Sequence, residues 1–460
     1  MIPRSQPSQP FLDALYSNLL ERGIQYFFPQ ISLEPLGPCF THGPVIEYEK
    51  SAGGITLLRW LGMRYRLRNF RSLTLSEGKL LKSVGLVLSA RYRFFFDPDM
   101  VSGIPDLFRG VPEDRYVSAF LDSTPYVAAD AGAQVCDRIA DAIDVLRISA
   151  LTTYENRRIV TGVLVFGTHP DPCHVSPPHP PEALNYAAKL TSIRSFHRMC
   201  DGLQTLALVD QDGLLVELVD VAHWAQAYQG MNLPVASAAR YEYHCRATLC
   251  GGHTCLVLTP NGEIKVFAAG SQVLNFIDGN WRLTDPVEKY RVWEDAIGSK
   301  ILAERIYRVA LNLAEERRGG LFVVLDDAGA ADHLLAPGDF LESQASHTSG
   351  NTSGNSSGDS GGAKGQLHYL LRGRPVSELP ATVLESVARI DGAIVMDRDF
   401  RLLAFGAILR LERLAETNEG VAEGGRTTAA IGASRYGHAL KVSEDGLISF
   451  YAHGVRVWEM

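Results

Sequence analysis

The chain has 460 residues, 46% hydrophobic and 21% charged, enough for two or three ordinary globular domains. Its formal net charge of −8 excludes a global basic field, so neither nucleic acid nor an anionic membrane is expected as a partner. No apolar run approaches bilayer-spanning length, the first ten residues lack a signal-peptide core, and an odd count of seven cysteines fits reduced thiols in the cytoplasm.

Residues 1–181 read as a mixed α/β region. Phe11 to Ile24 has helical spacing, with Leu12, Leu15, Leu19 and Leu20 on one side. Ser83 to Phe95 alternates and carries aromatics, and reads as strand. Ala128 to Ile148 is helical again, Val135, Ile139, Ile143 and Leu146 recurring about a turn apart. Arg158 to Gly167 is β-rich, and Thr168 to Pro181 is a proline-rich loop whose His169, His174 and His179 read as solvated.

Residues 182–284 form a middle α/β segment with two hairpin signals. Leu203 to Val219 turns at Gln-Asp-Gly, and Thr254 to Ala268 turns at Asn261-Gly262, where both residues tolerate positive φ. His244, Cys245, Cys250, His253 and Cys255 lie close enough to raise a zinc reading, yet their spacing matches no common finger, and small buried thiols account for them better.

From 285 to 460 the signals are denser. Asp285-Pro286 starts a long helical pattern that runs to Glu316 and is divided at Gly298. Gly319-Gly320 ends it, and Leu321 to Leu325 is a buried strand. Residues 343–365 are a Ser/Gly/Asn/Thr tract with almost nothing to bury, expected as a disordered insertion. Gln366 to Leu371 resumes a strand, Thr382 to Glu385 is a capping box opening a helix, Leu402 to Leu409 continues the sheet, and Arg410 to Ala422 is a polar connection.

Three motifs in this last region carry chemistry. Asp391-Gly392-Ala393 opens a strand on an acid and two tiny residues, leaving room beside the backbone. Gly424-Gly425-Arg426-Thr427-Thr428 leads into a helix whose free N–H groups suit an anion. Ser443-Glu444-Asp445 ends a strand on two acids. Carboxylates on both sides of an anion site indicate a divalent metal holding a phosphate ester.

In that order and near that spacing, the three motifs resemble those of the diadenylate cyclase (DAC) domain. The resemblance spans about residues 287 to 457; the family's Gly-Thr-Arg-His-Arg motif keeps only its glycine and first arginine. It implies a mixed-sheet α/β domain at the C-terminus that joins two ATP into cyclic di-AMP, with Mg²⁺ or Mn²⁺ as cofactor. By the same resemblance Asp391 and Arg426 are catalytic and Asp391 and Glu444 hold the metal. Gly392, Ala393, Gly424, Gly425, Thr427, Thr428 and Ser443 line the nucleotide. Arg435 and His438 are candidates to replace the missing charge. A second copy of the chain, face to face, is the implied partner. The preceding region resembles the sensor extensions of bacterial DAC proteins, including the DACNV type. The alternative is a DAC-like domain that binds nucleotide without turnover.

The middle segment also echoes the last domain: Arg246-Ala-Thr, His253 and Asn261-Gly262 parallel Arg426-Thr-Thr, His438 and Asp445-Gly446. A degenerate duplication and two unrelated strand–turn–strand units both fit, and Pro260-Asn261 stands where acids would be needed.

Overall fold

The computed structural model describes residues 9–39, 46–50, 56–68, 72–96, 107–128, 136–341, 368–410 and 424–460. Contacts divide the chain into one unit of Met1–Pro234 with Tyr243–Asp285, and a second of Val235–Glu242 with Pro286–Met460. Both are α/β, the fold class expected.

In the first unit, α1 (Gln9–Phe27) is followed by an antiparallel sheet of β1 (Ser32–Pro38), β2 (Glu47–Lys50), β3 (Thr56–Trp60) and β4 (Met63–Arg68), in the order β1-β4-β3-β2. Next comes α2 (Leu75–Phe94), where a strand was expected. The reason lies in its two ends of information. Thr74 and Glu77 form a reciprocal capping box, with the Glu77 amide 3.1 Å from Thr74 Oγ1 and the Thr74 amide 2.9 Å from Glu77 Oε2. Beyond it, Leu80, Leu81, Val84, Val87 and Leu88 are all buried, a period of 3.6 that short-range alternation obscures. Leu81, Val84, Val87 and Leu88 share a core with α1 and Trp60.

Helices α3 (Pro112–Leu121) and α4 (Arg138–Ala150) lead into an eight-stranded sheet. Its strands are β5 (Thr161–Val165), β6 (Leu184–Asn185), β7 (Thr205–Val209), β8 (Leu214–Asp220), β9 (Thr254–Leu258), β10 (Ile264–Ala268), β11 (Ser271–Ile277) and β12 (Asn280–Leu283). They stand in the order β12-β11-β10-β9-β5-β7-β8-β6, with only β5 and β7 parallel. Residue 181 therefore falls within one contact unit, whose sheet takes β5 from before it and β7 from after it.

The second unit opens with α5 (Pro286–Ile297) and α6 (Lys300–Glu315), separated at Gly298, whose φ of +73° breaks the helix. Strand β13 (Gly320–Leu325) starts a six-stranded sheet completed by β14 (Ala393–Asp397), β15 (Leu402–Ala407), β16 (Gly437–Val442), β17 (Ile448–Ala452) and β18 (Val455–Glu459). The order is β15-β14-β13-β16-β17-β18, with only β13 and β14 parallel. Phe322 and Val324 face the core under α5 and α6. Leu321, Val323 and Leu325 face the other side, packed with Ala430 and Ala433 of α8 (Gly425–Ala433). The sheet is thus a mixed one flanked by helices.

Two local expectations fail. His368–Leu370 is a 3₁₀ turn, not strand. Helix α7 (Ala381–Ala388) starts after Pro380 with no side-chain cap, so Thr382 lies inside it, and Glu385 instead takes a hydrogen bond of 2.5 Å from Asn312. The expected disordered insertion at 343–365 and nearly all of the connection before Gly424 lie outside the described residues.

Six strands of each unit have the same connectivity. In chain order β5, β7, β8, β9, β10, β11 occupy the positions and directions of β13, β14, β15, β16, β17, β18. The likeness reaches the turns: Thr259 and Ser443 each accept the amide four residues on with their hydroxyl, while Gly262 and Gly446 donate to the carbonyls of Thr259 and Ser443.

Candidate functional site

Three segments that are remote in sequence converge at one end of the central strands of the second unit's sheet. Asp391 precedes β14, Arg426 sits in the first turn of α8, and Glu444 follows β16. The Arg426 guanidinium joins them, with Nη1 2.8 Å from Glu444 Oε1 and Nη2 3.0 Å from Asp391 Oδ1. The carboxylates are 94% (Asp391) and 71% (Glu444) exposed. Pairs so wet contribute at most about 1 kcal/mol each, so the guanidinium is readily exchanged onto a stronger anion. Two exposed carboxylates converging on one cation are also a hard-oxygen donor set of the kind that suits Mg²⁺ or Mn²⁺.

The surroundings explain how Arg426 is aimed. A Cβ on Gly319 would lie 2.2 Å from Arg426 Nη1, so only glycine leaves room for the guanidinium there. Gly424 caps α8 without a side-chain hydrogen bond, and its carbonyl accepts from the Thr427 and Thr428 amides at 2.8 and 3.2 Å. Lys441 Nζ donates to Thr427 Oγ1 at 2.9 Å. That lysine brings a positive charge beside the first threonine of the Thr427-Thr428 pair. Sequence reading missed both Gly319 and Lys441; a lysine two residues before the Ser-Glu-Asp turn was the available signal.

Other expected residues have structural duties. Gly392, at φ +116°, gives way to the neighbouring strand: a Cβ there would meet the Gly406 carbonyl carbon at 2.3 Å. Ala393 is buried. Ser443 Oγ accepts the Leu447 amide at 3.2 Å and so closes its own turn. The two candidates for replacement charge are placed elsewhere. Arg435 packs along Gly454, and His438 lies 3.0 Å from Arg398 Nη2 and 3.6 Å from Asp326, where burial lowers its pKa.

In the first unit, the His/Cys cluster does not gather. His244 Nε2 meets the Gly202 carbonyl at 2.9 Å, Cys245 and Cys255 are buried, and His253 Nε2 lies 2.5 Å from Asp171 Oδ2. The Gly167 amide donates to His253 Nδ1 at 2.9 Å, so the ring proton is on Nε2, facing Asp171, which also accepts from the Tyr228 hydroxyl. Burial pushes the His253 pKa down; for Asp171 the bonds from Tyr228, Cys173 and His253 outweigh burial and hold its carboxyl below the ordinary range. The loop histidines are not simply solvated: His174 stacks on Trp224, ring centroids 3.8 Å apart, and His179 faces Asp210.

No family model matches the chain, and no curated protein does. Among solved structures it is similar to a hypothetical membrane spanning protein from Bacillus cereus, 20% identical over 36% of this chain and 69% of that one, with a TM-score of 0.24. It is also similar to a double mutant of DacA from Staphylococcus aureus, 19% identical over 36% of this chain and 87% of that one, with a TM-score of 0.20. At such TM-scores neither likeness carries an argument. Among the described residues, no helix is long and apolar enough to cross a membrane.

Proposed function

We propose that the second unit is a nucleotidyltransferase of the diadenylate cyclase type, acting on ATP in the cytoplasm under the influence of the sensor-like first unit. The observation that carries this reading is the meeting of Asp391, Arg426 and Glu444 around one guanidinium. In the reaction, the 3′-hydroxyl of one ATP attacks the α-phosphorus of another. The new P–O bond forms as the bond to pyrophosphate breaks, and a second transfer closes the ring. Arg426 leaves the carboxylates to hold phosphate charge, and the uncapped start of α8 offers amides to the same anion. Lys441 and the hydroxyls of Thr427 and Thr428 extend this cradle. Asp391, freed of the guanidinium, takes the hydroxyl proton. A divalent Mg²⁺ or Mn²⁺ held by Asp391 and Glu444 would neutralise phosphate charge and acidify the hydroxyl.

A second reading has its own support. Two threonines in place of charged family residues weaken phosphate neutralisation, and the domain then binds ATP without turning it over. One assay separates the two. Purified full chain is incubated with ATP and Mn²⁺, and cyclic di-AMP is sought by mass spectrometry, with Asp391→Asn as control. Product from the parent chain alone supports the cyclase. ATP binding with no product from either protein supports the binding domain, and product persisting in the variant refutes the role given to Asp391.

A further inference from the structure

The shared connectivity of the two sheets exposes one place where their charges differ. Strand β14 ends at Asp397, buried to 4% exposure, whose Oδ1 accepts the amides of Asp399 and Arg401 at 3.0 and 2.9 Å. Its Oδ2 is neutralised by Arg401 Nε at 2.9 Å. Strand β7 runs on into Asp210, 2% exposed, whose Oδ1 accepts the amides of Asp212 and Leu214, both at 2.9 Å. The turn is the same and the arginine is gone: the position of Arg401 is taken by Leu214. Asp210 Oδ2 is thus left without the arginine that Asp397 Oδ2 has.

What faces Asp210 Oδ2 is His179 Nδ1, at 3.3 Å, an imidazole that pairs as a cation only when protonated. Asp212 completes the group, and one ligand atom from each of the three lies within 4.8 Å of the others. Among the described residues no lysine or arginine side chain is ion-paired with Asp210 or Asp212. Arg138 comes near, 3.4 Å from the Asp210 backbone carbonyl, but its charge is met by Asp122 at 2.7 Å.

We propose that His179, Asp210 and Asp212 form a binding site for a divalent transition-metal ion, which supplies the charge that Arg401 supplies in the other sheet. One imidazole nitrogen with two carboxylate oxygens and no thiolate is a donor set for a first-row ion such as Zn²⁺. Metal–ligand bonds near 2.1 Å set neighbouring ligand atoms about 3.0–3.4 Å apart. The His179–Asp210 pair already has that spacing, and the exposed Asp212 side chain closes the remainder. Because His179 sits on the proline-rich loop, the ion ties that loop to the turn between β7 and β8. The site is independent of Asp391 and Glu444 and stands whether or not the chain makes cyclic di-AMP.

The test is a calorimetric titration of ZnCl₂ into chelator-treated full chain carrying Asp391→Asn and Glu444→Gln, which removes the other carboxylate pair. The expected result is one zinc per chain that weakens at least about tenfold in His179→Ala, a substitution at a half-exposed side chain. Leu214→Arg, which restores the arginine of the other sheet, is expected to abolish the same binding step while raising the melting temperature. Zinc held by cysteines is unchanged in both variants. Equal stoichiometry and affinity in parent and His179→Ala, or a parent that takes up no zinc, overturns the proposal.

Discussion

Arg426 has room for its guanidinium because residue 319 is a glycine. The 2.2 Å between its Nη1 and a Cβ built on Gly319 is too close for any side chain there. Gly319→Ala therefore forces the guanidinium off the line joining Asp391 and Glu444. Glycine is not needed at this position for a positive φ, since Gly319 is absent from the positive-φ glycines, so the fold should tolerate the change. We expect ATP turnover to fall about tenfold or more, short of the hundredfold typical of deleting such a contact outright, with the urea midpoint nearly unchanged. An intact rate in Gly319→Ala would show that Arg426 works from another position. The three motif residues were legible in the sequence because their types and order were informative. Gly319 and Lys441 were not, because what brings them to Arg426 and Thr427 is the packing of α8 against β13 and β16, which no local spacing encodes.

Elements were legible where one short-range signal dominated. The Asn261-Gly262 hairpin, the break at Gly298 and the apolar β13 all stand as read. Helix α2 was misread because Ser83 to Phe95 is buried on several sides, so its apolar residues crowd into apparent alternation, and the capping box that identifies it lies upstream. The stretch from Thr168 to Pro181 is a loop as read, but its histidines were misread as solvated for a related cause: the fastenings of this loop are long-range. Asp171 on that loop holds His253 and Tyr228, with the Asp171 and His253 side chains 1% and 0% exposed. The His253 pKa is lowered from 6.5, so the folded chain keeps the ring neutral where the unfolded chain would protonate it. Its contribution to stability is complete above pH 6.5 and declines as pH falls through that value. The lowered Asp171 acts with the same sign further down, its contribution lost as pH drops below 3.8. Thermal unfolding of the parent chain should therefore shift downward as the buffer moves from neutral to mildly acidic. His253→Gln, which cannot titrate but can still donate to Asp171, should start lower and fall less steeply. Parallel curves for the two proteins would remove His253 from the acid response.

At the scale of the whole molecule, two six-stranded cores of one connectivity have been given different surface chemistry. The strand end that carries Asp391, Arg426 and Glu444 in the second has, in the first, the Asp201 turn leading into β7 and Thr259-Pro260-Asn261 following β9. The Asp201 carboxylate is occupied: its Oδ1 accepts the amides of Leu203, Gln204 and Thr205 at 2.9, 2.8 and 3.0 Å. These amides outweigh burial and lower its pKa, a carboxylate committed to shaping a turn. Asn261 offers no charge where Asp445 stands. Among the described residues a single chain thus presents one set of the residues proposed to bind nucleotide, while joining two ATP face to face requires two. Under the proposed cyclase function the second set comes from another copy, and the specific rate of cyclic di-AMP formation should climb with chain concentration before reaching a plateau set by the dimer. Mixing in an excess of Asp391→Asn chain should lower the rate further than the same dilution with buffer, because mixed pairs hold a defective half. Sedimentation run alongside locates the association step. A specific rate that stays constant across a concentration range in which the chain sediments as a monomer would eliminate the face-to-face arrangement and leave each chain to act, or merely to bind, alone.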